Sequence, residues 1–204
     1  MNKQLLVEYL PFVVEPEVIN ESIRSNNGKL IVQGPLQKAN SRNQNGRIYP
    51  KNILEREASK YIKLVKERRA LGELDHADSS IINLKNVSHN IIELWWSGNT
   101  VMGKLEVLST PSGNILKELF LNGIRVGISS RGLGSVKPIS ENGEEETVEV
   151  QEDFELLCWD VVSSPSTHGA FIKPLKESVN AEGIVCGKWC KTQDIMREII
   201  VEIR

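Results

Sequence analysis

Apolar and polar positions alternate along much of this chain, and where the period of the alternation changes, so does the expected element. Residues 28 to 36, GKLIVQGPL, read as a short strand ended by Gly-Pro, and the polar KANSRNQNGRIY that follows carries an Asn-Gly turn signal. The period then lengthens. Pro50 suits a first helical turn, and Leu54, Ala58, Tyr61, Ile62 and Val65 recur at helical spacing, a stripe that ends near Gly72 with Lys66, Arg68 and Arg69 in its last turns. Two alternating runs, NVSHNIIELWW and TVMGKLEVL, flank SGN and predict a β-hairpin whose core Trp95 and Trp96 anchor. A second helix is expected over 112–122, with Ile115, Leu116, Leu119 and Phe120 on one side and Gly123 as its stop. It delivers the chain into IRVGISS, an apolar strand that meets a glycine-rich loop. After the acidic turn ISENGEEE come alternating Val148 and Val150, then FELLCWDVVSS, a buried strand closed by Pro165. From Lys173 the pattern weakens, with an amphipathic terminal helix expected around Ile195, Ile199 and Val201.

Composition narrows the class. With 204 residues, 40% of them hydrophobic and 25% charged, the chain is long enough to bury one sizeable core, and one principal domain is expected. A net charge of -2 gives no bulk electrostatic reason for nucleic acid or an anionic membrane as partner. Glu8, Pro11 and Glu15 interrupt any signal-peptide core, and no apolar run is long enough to span a bilayer, so a cytosolic protein is expected. Cys158, Cys186 and Cys190 are odd in number and argue against a disulfide framework. Cys186 and Cys190 with His168 match no standard zinc spacing and lack an evident fourth ligand, so no metal is expected.

Four short segments carry candidate chemistry. In GELDHAD, residues 72 to 78, His76 lies between Asp75 and Asp78 in a stretch too polar for a core strand; the bland alternative is a loop imidazole with no role. In VGISSRGLGSV, Gly127 and Gly132 have phosphate-loop spacing, but Leu133 stands where the lysine is needed, and the nucleophile-elbow register fails as well. What survives is a serine at a strand end, with Arg131 and glycine-loosened backbone N–H groups beside it to stabilise an oxyanion. The competing reading is a serine-rich strand end bonding its own backbone. In CWDVVSSPST, Asp160 sits in an apolar run and needs a hydrogen-bonding partner, which a histidine would supply; otherwise it points to water from a strand edge. Turn chemistry accounts for the fourth segment, NSRNQNGRIYP.

NGRIYP, GELDHAD, ELWWSGNTVMGKLEV and GISSRGLGS, at this chain length and spacing, resemble the prohead (capsid maturation) serine proteases of tailed bacteriophages, myovirus type, over most of residues 28 to 173. The resemblance implies an α+β fold, mainly an antiparallel β-barrel flanked by helices and related to the herpesvirus protease assemblin. It implies a protease domain over 1–175, with 1–27 as an N-terminal extension, and a tail over 176–204. The family's histidine falls on His76 and its nucleophile on Ser129. Asp160 is the chosen third member, although the herpesvirus relatives use a second histidine, for which His89 or His168 would have to serve; Ser130 and Arg131 take the oxyanion and substrate side. No cofactor is implied.

Expected substrates are phage scaffold or core proteins and the major capsid protein, cut after a glutamate preceded two positions earlier by Leu or Ile. LKES, Leu175 to Ser178, is such a match and implies self-cleavage between Glu177 and Ser178. The pattern recurs at Ile19-Asn20-Glu21-Ser22, and IIE at 91–93 and LKE at 116–118 fall inside expected elements that should protect them. The implied location is the host cytoplasm, inside the assembling prohead, with no direct nucleic-acid or membrane contact and with self-association, as a homo-oligomer, left open. The alternatives are a non-catalytic scaffold- or capsid-binding module of the same fold, and an anion-binding domain using SSRGLGS.

Overall fold

The structure is a computed structural model, and it describes residues 4–12, 16–77, 79–139, 147–163, 178–179 and 185–186. In chain order the elements are β1 (Gln4–Phe12), α1 (Pro16–Ser25), β2 (Leu30–Lys38), β3 (Arg47–Ile48), α2 (Lys51–Lys66), β4 (Leu71–Glu73), β5 (Val87–Ser97), β6 (Thr100–Val107), α3 (Pro111–Leu121), β7 (Val126–Gly134), β8 (Val136–Pro138), β9 (Val148–Val150) and β10 (Glu155–Val162). All of these belong to one unit, Met1–Ile172. In a second unit, Lys173–Arg204, β11 (Ser178–Val179) pairs antiparallel with β12 (Val185–Cys186). The expected terminal helix lies outside the described residues.

The architecture is α+β and mostly antiparallel. A four-stranded sheet runs β2-β6-β5-β4, a three-stranded sheet runs β1-β7-β10, and a small sheet β3-β9-β8 contains one parallel pair, β3 with β9. Among the described residues these sheets do not close into a barrel. A parallel bridge, Leu74 to Val161, joins the end of β4 to β10 and so ties the two larger sheets together. The main core lies between the sheets and the helices and includes Leu36, Leu54, Ile91, Phe120, Ile128 and Trp159; Tyr61 on α2 meets Trp159 edge to face at 4.8 Å. Residues 4–12, set aside in the sequence as an extension, form a strand alongside β7 over its whole length.

Several elements depart from the sequence expectation. Strand β2 passes through Gly34 and Pro35, with its irregularity between Pro35 and Gln37, and continues to Lys38. Helix α2 stops at Lys66, because Arg68 turns left-handed (φ 55°) and the N–H groups of Arg68 and Arg69 close back on Val65 and Leu64. Gly72 therefore is not a helix stop; it lies in β4. On α3, Gly123 (φ 68°) follows the last turn, as expected; Thr110 Oγ1 accepts from the Gly113 N–H, and Ile115 is exposed while Leu116 and Phe120 are buried. The β5–β6 hairpin is present, although Trp95 and Trp96 are only half-buried, each with a lysine over its ring. The glycine-rich loop after Ser130 is strand as well. A Cβ on Gly132 would meet the Phe154 ring at 2.5 Å, so this glycine serves close packing rather than flexibility.

Candidate active site

Ser129 stands mid-strand in β7, the central strand of its sheet, and its direct neighbour across the ladder is Asp160 of β10. Residues directly opposite in an antiparallel pair share a face with Cβ atoms about 5 Å apart, so one register choice brings hydroxyl and carboxylate together. The next residues on that face are Arg131 and Cys158, also opposite one another.

The imidazole arrives from the other sheet. After β4 the chain lies along β10 through the Leu74 bridge, and the Asp75 N–H donates to Val161 O at 2.7 Å. Asp75 is left-handed (φ 70°), a conformation Asp tolerates better than most residues, and its Oδ1 accepts the His76 N–H at 2.9 Å. This reversal presents the ring to both partners: His76 Nδ1 lies 3.0 Å from Asp160 Oδ2, and His76 Nε2 lies 2.7 Å from Ser129 Oγ. An ionised carboxylate only accepts, so Nδ1 carries the hydrogen and the Nε2 lone pair faces the serine hydroxyl.

Asp160 is fully buried. Burial alone would raise its pKa, but the bond from His76, the Glu73 N–H on Oδ1 at 2.9 Å and the charge of Arg131 outweigh it and hold the carboxyl below its ordinary range. Arg131 is buried too, with Nε 2.9 Å from Asp160 Oδ2 and Nη2 2.7 Å from Glu73 Oε1. Burial opposes its charge; the Glu73 bond and the nearby anions prevail and raise its pKa.

The structure thus brings Ser129, His76 and Asp160 into one hydrogen-bonded chain. It does not bring the other sequence candidates there in the expected way. The guanidinium of Arg131 lies on the acid rather than beside the hydroxyl. Ser130 points to the opposite face of β7, buried, with no bond to its Oγ among the described residues. His89 is buried on β5, where its Nε2–H donates to Trp159 O at 3.0 Å and its Nδ1 accepts from Ser88 Oγ at 2.9 Å, so both ring nitrogens are engaged away from the serine. His168 and Glu177 lie outside the described residues, and Ser178 begins β11. Sequence reasoning missed Glu73. The available signal was Arg131 itself, since a guanidinium in an otherwise apolar strand needs more than one acceptor. Among the described residues no cluster of His, Cys, Asp or Glu is arranged to hold a metal ion.

Comparison with known proteins gives a consistent picture. Residues 10–181 match the family model described as prohead core protein serine protease. The chain is 35% identical over 159 residues to the prohead core protein protease of Enterobacteria phage T4, covering 75% of this chain and 73% of that one. A solved structure of the bacteriophage T4 capsid assembly protease superposes with a TM-score of 0.67 at 30% identity, over 80% of this chain and all of the other.

Proposed function

Since the chain belongs to the prohead core protein serine proteases, we propose that it hydrolyses peptide bonds with Ser129 as nucleophile, His76 as general base and Asp160 as the acid that orients the imidazole. The observation that carries this assignment is the pair of contacts from one ring, 2.7 Å to Ser129 Oγ and 3.0 Å to Asp160 Oδ2. As Oγ attacks the scissile carbonyl, His76 Nε2 takes its proton, and Asp160 stabilises the imidazolium without itself being protonated. The proton then passes to the leaving amine, and water repeats the cycle on the acyl-enzyme.

The substrates we assign are the core or scaffold proteins and the major capsid protein of an assembling prohead, inside which the enzyme works in the host cytoplasm. The T4 relative's role in capsid assembly supports this. The closer kinship of fold with assemblin belongs to the same proposal and is supported by the mainly antiparallel pairing. So does a protease domain ending near residue 175, with a cut after Glu177 releasing the tail. Three of the other glutamate matches are held in regular structure: IIE in β5, LKE in α3, and Ile19 to Ser22 in α1, where Ser22 Oγ bonds both the carbonyl and the N–H of Ile31.

Intact mass over time for wild type and Ser129→Ala, each mixed with a core-protein fragment containing Leu-x-Glu, tests the reading. Wild type should cut after glutamate and lose residues 178–204; Ser129→Ala should be slower by at least about 10⁴-fold. Equal cutting by the two proteins would remove Ser129 from the mechanism, and an uncut wild-type tail would remove the Glu177 claim.

A further inference from the structure

Arg131 does more than neutralise a neighbour, because one guanidinium touches chain on both sides of the histidine. Its Nη2 meets Glu73 Oε1 at 2.7 Å, three residues before His76. Its Nη1 donates to Ser79 O at 2.7 Å and to Ala77 O at 3.5 Å, just after His76. Its Nη2 also donates to Asp160 Oδ1 at 3.2 Å, and its Nε lies 2.9 Å from Asp160 Oδ2 as an ion-pair contact rather than a hydrogen bond. Glu73 Oε1 extends the hold by accepting the Asn83 N–H at 2.9 Å. The planar fork thus fixes the acid and the histidine-bearing segment to a single strand, the one that carries Ser129.

The charge count of the cluster is equally specific. Around Asp160 the neighbouring groups are Glu73 from β4, Arg131 and Ser129 from β7, Cys158 on its own strand, His89 from β5, Tyr61 from α2 and His76, with the exposed Asp75 beside the ring. Burial keeps the Cys158 thiol and Tyr61 phenol protonated and lowers His89 to about 4, so at neutral pH these three carry no charge. The buried ions are Glu73, Asp160 and Arg131: two carboxylates against one guanidinium leave one net negative charge. Transfer of the Ser129 proton sets the positive imidazolium against this charge, while the negative charge left by the proton passes to the tetrahedral oxyanion.

Resting on the triad reading above, we propose that Arg131, balanced by Glu73, is a positioning residue that clamps Asp160 and the His76 segment in register and leaves one net negative charge to meet the imidazolium. Loss of Arg131 leaves two unbalanced carboxylates. Either the protonated imidazole is favoured or one carboxylate takes up a proton, and both routes delay the competent form to higher pH. Loss of the Glu73 charge has the opposite sign: the excess guanidinium disfavours imidazolium, and the competent form persists to lower pH.

The test is the rate of fluorophosphonate labelling of Ser129 against pH, read by intact mass on full-length wild type, Arg131→Met, Glu73→Gln, the double variant, Asp160→Asn and Ser129→Ala. Arg131→Met should label roughly a hundredfold more slowly at pH 7, with the acid limb of its profile about one pH unit or more higher. Glu73→Gln should move the limb downward, and the double variant should return it towards wild type while remaining slow. If Arg131→Met does not fold, Glu73→Gln alone decides. Limbs that do not move, or that move in the same direction in the two single variants, overturn the clamp. That failure is distinct from failure of the triad, in which Asp160→Asn or Ser129→Ala would label as fast as wild type.

Discussion

The two described histidines both hydrogen-bond to the strand that carries Asp160 and are used in opposite ways. His76 is partly exposed and addresses a hydroxyl; His89 is sealed in, with its Nε2–H on Trp159 O. Burial is the largest influence on His89 and lowers it from an ordinary 6.5 to about 4, against the opposing pull of Asp160. Between those values the unfolded chain binds a proton that the folded chain refuses, so stability rises with pH through that window, by on the order of 3 kcal/mol in all. Asp160 has the carboxylate sign: its contribution is present above the unfolded value and is lost as pH falls through the depressed folded one, below the window of His89. His89→Gln should therefore melt earlier at pH 7 but show a flatter Tm between pH 4 and 6.5 in calorimetry. An unchanged slope would mean that other groups carry the acid sensitivity.

At the scale of elements, β4 is the shortest piece of the two larger sheets and sets where the imidazole lies. It can approach β10 only because Gly72 has no side chain: a Cβ there would meet Trp159 O at 2.2 Å and His89 Nε2 at 2.3 Å, and neither backbone nor buried ring can yield cheaply. Gly72→Ala should cost about 1–3 kcal/mol in denaturant unfolding and also slow catalysis by shifting the His76 segment. Wild-type activity at reduced stability would separate β4 from the placement of the histidine. This strand also marks the limit of what sequence reveals. The β5–β6 hairpin, with Gly98 at its turn, and α3, with its Gly123 stop, are written in local signals and are legible. β4 and the second half of β7 are not, because distant partners decide their form: Trp159 and His89 shape the first, Phe154 and β10 the second. The site follows the same division. Ser129, His76 and Asp160 can be singled out one by one as polar groups in odd surroundings, whereas Glu73 and the true station of Arg131 depend on β4 meeting β10.

Across the larger unit, β7 is covered on both edges, by β1 from the beginning of the sequence and by β10 from far downstream. These pairings are long-range, of the kind that forms late because loop closure must precede any gain from contact. A chain ending at residue 154 has the hydroxyl and the imidazole but neither Asp160 nor the strand that holds it. It should take up no fluorophosphonate where the full chain does, and labelling of the fragment would show that β10 is dispensable. The placement of β10 also gives the enzyme a timetable. A ribosome making this protein reaches His76 first, Ser129 about fifty residues later and Asp160 about thirty after that, so with the proposed triad a copy still lacking β10 is harmless to the proteins being made around it, and its capacity to cut begins only once that strand is in place.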